Sequence, residues 1–274
     1  MFNILESRMI VPNMHLLKVE APEVARSVQP GHFVIVRAEE EGERIPLTVS
    51  DWDPETGSIS LVFLAIGRTT QKLAALRAGE SLPTVVGPLG KSLEIENYGH
   101  VVCVGGCYGI ASIYPVARAL KNCGNRVTAV IEARSAYLLY WKDKLKSVVD
   151  RLVVITRDGS QGLYGHIGNL EQVLKSPGQP VDRVILNGCN FLMMRGAEVS
   201  RPLGIKTIVS LNTLMIDGTG MCGVCRVVVG DQTQFACVDG PHFDAHQVDW
   251  EVLAQRRNAY LDEEITPFRS SAAQ

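Results

Sequence analysis

From His100 to residue 212 the chain repeats one rhythm, an apolar run of five to eight residues followed by an amphipathic stretch. HVVCVGG leads to ASIYPVARALKNCG, RVTAVIEA to YLLYWKDKLKSVVD, RLVVITRD to NLEQVLKS and RVILNGC to FLMMRGAEVSRPLG, before IKTIVSLN closes the series. Apolar strands alternating with helices predict a parallel sheet covered on both faces. Such a sheet offers a ligand crevice at the C-terminal ends of its strands. Three glycine-bearing loops fall there: VGGCYGIA with Gly105, Gly106 and Gly109, TRDGSQG with Asp158, and NGCNFLMM with Gly188 and Cys189. At the first of them, backbone N–H groups and a helix dipole would face a pyrophosphate. Its spacing is not GxGxxG, and a tightly packed turn is the alternative reading. Arg134, beyond the end of the second strand, is either a contact for an adenosine ribose or 2′-phosphate or a solvated arginine. Glu132, on the same strand, suits a free ribose hydroxyl.

The first hundred residues read differently. HLLKVEA, HFVIVRA, IPLTVSDW and SISLVFLAI are short apolar strands separated by turns, the pattern of a small antiparallel barrel. One helix, TTQKLAALRAG, interrupts them and stops at Gly79. Arg44 stands directly before a strand, where its forked guanidinium suits phosphate. GPLG (87–90) is expected to be a tight turn.

With 274 residues the chain is long enough for about two domains. Its net charge of −2, with basic residues scattered, gives no footprint for nucleic acid or anionic lipid. The N-terminus lacks a basic, then apolar, secretory pattern, which predicts a cytoplasmic protein. The uncharged stretch from Val101 to Ala117 is cut by Gly105, Gly106, Gly109 and Pro115, so no membrane span is expected. Seven cysteines, three of them close together, fit metal ligation better than a disulfide framework. Cys103, Cys107, Cys123 and Cys189 are expected to be mostly small core residues.

The bunched cysteines lie in DGTGMCGVC and FACVDG. Cys222, Cys225 and Cys237 are three soft ligands, and Asp217 stands four intervening residues before Cys222. The plant-type two-iron two-sulfur loop has a cysteine at that place. Asp217 is thus either a cluster ligand or a turn residue, and His242 and Asp239 are other candidates for the fourth position. A four-ligand zinc knuckle also permits the Cys222–Cys225 spacing.

Together these motifs resemble those of the ferredoxin-reductase-type flavoproteins, over nearly the whole chain. The resemblance implies that FAD is bound by Arg44, Pro46, Leu47 and Thr48, by Gly67, Thr69 and Thr70 of GRTTQKL, and by Gly87, Leu89 and Gly90. It implies NAD(H) or NADP(H) at Gly105, Gly106 and Gly109, with Gly188 and Cys189 near the nicotinamide. Cys107, Tyr108 and Asn190 depart from the usual pattern. SLNTLMIDGTGMCGVCRVVVG and FACVDGPHFDAHQVDW are similar to the small subunits of electron-bifurcating NADH-dependent ferredoxin:NADP oxidoreductases, also called sulfide dehydrogenase beta subunits. A more distant likeness is to dihydroorotate dehydrogenase electron-transfer subunits. In the bifurcating family one aspartate and three cysteines hold a [2Fe-2S] cluster, which implies Asp217, Cys222, Cys225 and Cys237 here; the dihydroorotate type uses four cysteines.

The expected architecture is therefore an N-terminal antiparallel β-barrel for FAD (1–99), an α/β nucleotide-binding domain (100–212), a small iron-sulfur module (213–250) and a C-terminal tail (251–274) suited to partner docking. The expected function is an electron-transfer subunit passing electrons between NAD(P)H, FAD, the cluster and a larger flavin/iron-sulfur partner. The alternatives are the equivalent subunit of another complex (dihydroorotate dehydrogenase, a hydrogenase or a heterodisulfide reductase) and a non-redox zinc-knuckle module.

Overall fold

Seven antiparallel strands form the N-terminal half of the computed structural model, which describes residues 1–176 and 180–261. They are β1 (Phe2–Val11), β2 (Met14–Glu20), β3 (Phe33–Arg37), β4 (Ile45–Asp53), β5 (Ser58–Leu64), β6 (Ser81–Leu82) and β7 (Thr84–Leu89), with short helices α1 (Pro22–Ser27) and α2 (Arg68–Ala75) between them. The spatial order is β6-β1-β2-β5-β4-β3-β7. Only Pro83 separates β6 from β7 in sequence, yet these two strands form opposite edges of the sheet. The edges therefore meet at a residue with no N–H to donate, and the sheet is a nearly closed barrel.

Two features of this half have weak sequence signals. Charged Glu6 and Arg8 interrupt the apolar alternation of β1, an outer strand that tolerates them because only two-residue β6 lies beyond it. GPLG is not a free turn, since Gly87, Pro88 and Leu89 end strand β7. Strand β2 has the clear period of two. Leu17 and Val19 fill the barrel, whereas Met14 and Leu16 face outward onto the second domain.

That domain is a second seven-stranded sheet, built from β8 (His100–Gly106), β9 (Arg126–Ala133), β10 (Arg151–Thr156), β11 (Leu163–Tyr164), β12 (Arg183–Asn187), β13 (Lys206–Ser210) and a late strand at 242–244. Its helices are α3 (Gly109–Asn122), α4 (Lys142–Lys146), α5 (Leu170–Leu174) and α6 (Asn190–Ser200). The expected long helix over YLLYWKDKLKSVVD is shorter, because Trp141 takes a left-handed conformation (φ 55°) and only five residues follow as α4. Beyond residue 212 come the hairpin β14 (Arg226–Val229) and β15 (Gln232–Phe235), then β16 (His242–Asp244) and α7 (Trp250–Arg257). Strand β16 adds antiparallel to β13, pairing Ser210 with His242 and Ile208 with Asp244, while the other six strands run parallel in the order β11-β10-β9-β8-β12-β13. The cysteine-rich segment thus belongs by backbone pairing to the α/β sheet.

Strands β8 and β12 are neighbours, but their following helices leave toward opposite faces, and this is the switch point where a ligand crevice opens. Barrel and sheet share both cores. Val62 and Leu16 join α3 in one, while Phe33 and Ile35 join α6, β13 and the buried Cys225 and Cys237 in the other. A charged clamp adds to this contact. Asp51 of β4 accepts from Arg118 Nη1 at 2.9 Å and Lys144 Nζ at 2.6 Å, and both cations lie over the Tyr114 ring.

The cysteine expectation needs correction. Cys103 is fully buried, but Cys107 is only partly covered, and Cys123 and Cys189 are exposed because both sit at helix ends. All seven thiols are free. Among the described residues no helix is long and apolar enough to cross a membrane.

Candidate functional site

A cleft of about 260 Å³ runs along the seam between the barrel and the switch point. Its barrel wall holds Pro46, Leu47 and Thr48 of β4, Val62 to Leu64 of β5, and Ile66 and Thr70 at the start of α2. Its opposite wall holds Tyr108, Ser112, Asn187 and the 210–213 segment. A slot with apolar walls and scattered polar atoms suits a planar ring system. At its edge Thr70 Oγ1 accepts from Gly67 N at 2.9 Å, which fixes the first turn of α2. Thr69 donates its hydroxyl to Glu43, and Arg44 is exposed just before β4.

The flavin candidates therefore separate. Pro46, Leu47, Thr48 and Thr70 line the cleft, with Gly67 supporting it. Gly87, Leu89 and Gly90 do not line it; they are pressed into the packing behind. A Cβ on Gly87 would lie 2.7 Å from Val34 Cγ1, and one on Gly90 2.8 Å from the Phe33 ring and 2.9 Å from Pro241.

At the switch point the absence of side chains is a geometric need. A Cβ on Gly109 would lie 2.0 Å from the Asn187 carbonyl oxygen, and one on Gly105 2.7 Å from the Gly109 carbonyl oxygen. Gly188 is buried, with φ 154°, and a Cβ there would come within 3.0 Å of the Gly106 carbonyl oxygen. These contacts bring the loops after β8 and β12 together at the start of α3, the kind of strand-to-helix turn at which a pyrophosphate binds, and there Tyr140 Oη accepts from Ala111 N at 3.3 Å. Cys189 follows, exposed, at the start of α6.

Arg134 and Asp158 lie farther along the same sheet edge, past β9 and β10. Asp158 N donates to the Arg134 carbonyl at 3.1 Å. Hydrogen bonds from Ser135 and Ser160 hold the Asp158 carboxyl down at about 2, so it is ionised throughout the physiological range. Glu132, by contrast, is buried and turned to Arg157 Nε at 2.8 Å, so it is not presented to solvent as a ribose contact would be.

The cysteine loop packs on the barrel. Gly218 (φ 76°) sits where a Cβ would meet Leu89 Cδ1 at 2.9 Å and Ile35 Cγ1 at 3.0 Å, and Gly220 and Gly223 also have positive φ. The four candidate ligands fall into two pairs. Cys225 and Cys237 are buried with their sulfurs 3.2 Å apart, and burial pushes the Cys237 thiol up to about 12. Asp217 and exposed Cys222 form the other pair, in which the carboxylate accepts from Thr219 N at 2.7 Å and Cys222 N at 3.0 Å. The Thr219 contact leads the causes that lower the carboxyl below its usual range. Among the described residues no three His, Cys, Asp or Glu side chains gather around one point closely enough to hold a metal ion. Two pairs of donors are nonetheless what a binuclear cluster needs, since each iron takes two protein ligands. His242 lies elsewhere, against Gly31 of the barrel, and Asp239 accepts from Phe235 N at 2.7 Å.

Tyr108, Asn187 and the 210–213 segment are cleft residues that the motif reading did not assign. Tyr108 had a visible signal, an aromatic residue inside a glycine loop; the others are ordinary polar positions whose role comes only from the meeting of strands.

The comparisons with known proteins agree with this geometry. Residues 212–249 match the iron-sulfur cluster binding domain of dihydroorotate dehydrogenase B. A Thermotoga maritima protein named as a homolog of the electron transfer subunit of dihydroorotate dehydrogenase B (NAD(+)) is 43% identical over 247 residues, 90% of this chain and 86% of that one. The Shouchella clausii electron transfer subunit is 31% identical, covering 85% of this chain and 91% of its own. A solved structure giving insights into flavin-based electron bifurcation via the NADH-dependent reduced ferredoxin-NADP oxidoreductase superposes with a TM-score of 0.93, at 40% identity, over 99% of this chain and 98% of that one. A ferredoxin NADP+ reductase from Neisseria gonorrhoeae with bound FAD and NADP shares the fold, with a TM-score of 0.61 at 17% identity over 74% of this chain and 90% of that one. The chain belongs to the family of dihydroorotate dehydrogenase B electron transfer subunits and their homologues.

Proposed function

We propose that this chain is the electron-transfer flavoprotein subunit of a complex of the NADH-dependent ferredoxin:NADP oxidoreductase type, passing electrons between a nicotinamide nucleotide and a larger flavin and iron-sulfur partner. The observation that carries the reading is the joining, through one shared core, of an apolar cleft at a nucleotide switch point and a loop with two pairs of cluster-type ligands. The near-complete superposition on a bifurcating relative supports the same reading. FAD, when bound, supplies the exchange between two-electron hydride chemistry and one-electron transfer to a [2Fe-2S] cluster.

The residues divide the work. Pro46, Leu47, Thr48 and Thr70 would hold the flavin ring, with Arg44, Gly67 and Thr69 toward its phosphates. Gly105, Gly106 and Gly109 would admit the nucleotide pyrophosphate, Arg134 and Asp158 its adenosine end, and Gly188 and Cys189 its nicotinamide. Gly87, Leu89 and Gly90 would act behind the flavin site, by holding β3 and the cysteine loop together. Asp217, Cys222, Cys225 and Cys237 would ligate the cluster, Asp217 by exchanging its backbone hydrogen bonds for iron. The barrel (1–99), α/β domain (100–212) and cluster module (213–250) are the natural units of this function. No proton-transfer residue is required, because the cofactors carry the chemistry and the protein orients them.

Ile216, Met221 and Val238 are exposed around the cysteine loop, Met221 at 89%, which suits a face covered by the partner subunit. The tail also suits docking, although its residues after 261 lie outside those described. Seven free thiols support a cytoplasmic location.

The test is an anaerobic titration of the purified protein with NADH, with flavin, iron and acid-labile sulfide quantified on the same sample. One FAD, two irons and two sulfides per chain, with bleaching of both chromophores, is the expected result. A colourless zinc protein that fails to take up FAD and iron on reconstitution would overturn the proposal.

A further inference from the structure

The hydroxyl of Tyr108 occupies a junction that the cofactor-binding motifs leave unassigned. It donates to the Gly188 carbonyl at 2.9 Å and accepts from Asn212 Nδ2 at 2.7 Å. Gly188 heads the loop after β12, and Asn212 lies in the segment that carries the chain from β13 into the cysteine loop. Asn212 Oδ1 in turn faces Arg257 Nη1 of α7 at 3.5 Å, and the neighbouring Arg256 donates to the Val224 carbonyl, between Cys222 and Cys225, at 3.0 Å. One polar thread thus links the nicotinamide end of the cleft to the helix that braces the cysteine loop.

The loop carrying Tyr108 is itself held firmly. Cys107 adopts a left-handed conformation (φ 55°), and its carbonyl accepts from Tyr140 Oη at 2.8 Å. The ring of Tyr108 lines the cleft while its oxygen is spent on backbone and amide. Burial pushes this phenol up to about 12, so it keeps its proton and remains a donor to Gly188.

We propose that Tyr108 is a positioning residue for hydride transfer: its phenol, braced by Asn212, sets the Gly188–Cys189 loop at the nicotinamide end of the cleft. The inference rests on the electron-transfer reading above. Most nucleotide binding energy would come from the pyrophosphate and adenosine contacts, to which the Tyr108 hydroxyl, turned to Gly188 and Asn212, does not contribute. Removing its hydroxyl leaves the buried Gly188 carbonyl without a donor while preserving the ring, and so should disturb alignment more than affinity.

Stopped-flow reduction of the bound flavin by NADH in the full-length holoprotein tests this, with wild type, Tyr108→Phe, Asn212→Ala and the double variant. The expected result is a limiting rate about tenfold lower in Tyr108→Phe, with the NADH dissociation constant changed less than about threefold and flavin and iron content unchanged. Asn212→Ala should lower the rate in the same sense, and the double variant should fall little further, because both act on one loop. A wild-type rate in Tyr108→Phe, or a slowing that merely follows lost flavin, would overturn the inference alone. A wild-type flavin that neither NADH nor NADPH reduces would overturn the function and this inference with it.

Discussion

His242 makes the joint between the three parts of the molecule sensitive to acid. It lies on β16, which pairs with the α/β sheet, and its ring is pressed against the barrel at Gly31, where a Cβ would sit 2.0 Å from Nε2. Both ring nitrogens are shielded from solvent, and desolvation lowers its pKa from 6.5 to about 4, with His32 nearby adding a smaller push in the same direction. The folded state therefore prefers neutral His242, and between these two values the unfolded chain binds more protons. The stability this preference confers is fully present above pH 6.5 and is lost as pH falls toward 4. With those two pKa values, linkage gives a loss of about 2 kcal/mol between pH 7 and pH 5 from this one group. Urea unfolding of the holoprotein at both pH values, for wild type and His242→Gln, measures it. The variant should start less stable but lose about 2 kcal/mol less on acidification. If both proteins lose the same amount, His242 is not the titrating group and its enclosure at the joint is not what the geometry indicates.

Three further outcomes are expected. Gly109→Ala drives a Cβ to 2.0 Å from the Asn187 carbonyl, a backbone atom that cannot swing aside; it should cost at least about 2 kcal/mol and abolish flavin reduction by NADH, read by thermal unfolding and anaerobic spectra. Asp158→Asn removes an ionised carboxylate beside Arg134, where the proposed function puts the adenosine, so the ratio of NADH-driven to NADPH-driven activity should fall by roughly threefold or more in steady-state assays; an unchanged ratio places the adenosine elsewhere. Asp217→Ala should lower iron and labile sulfide per chain, whereas Asp217→Cys should keep the cluster with an altered potential; full iron and an unchanged potential in both would return Asp217 to its role as a turn residue.

How much of this was readable in the sequence depends on whether the information was local. Period-two alternation in HLLKVEA and the strand–helix rhythm after His100 report burial directly, and both sheets follow from them. Strand β16 does not announce itself, because three residues, His242 to Asp244, carry no period and its partner β13 lies more than 30 residues away. The glycines show the same limit within the site. Gly109 and Gly87 read alike, since each marks a place where a Cβ has no room, yet one admits the Asn187–Gly188 backbone at the switch point and the other admits Val34 from the neighbouring barrel strand. Cys123 and Cys189 were expected to be mostly core residues from their apolar surroundings, but helix ends turn both toward solvent. Glu132 and Asp158 are both acids beside the same sheet edge; only burial and the contact to Arg157 separate the structural one from the exposed one.

The return of the chain through β16 has a consequence for solubility. A sheet that ended at β13 would present Lys206–Ser210 as a bare edge, an open row of N–H and C=O groups able to template pairing with another molecule. The segment bearing the cysteines covers that row with a strand of only three residues, too short to recruit a neighbour in its turn. Evolutionary or laboratory removal of the redox module would thus take away more than a redox centre: it would uncover a sticky margin on the domain left behind.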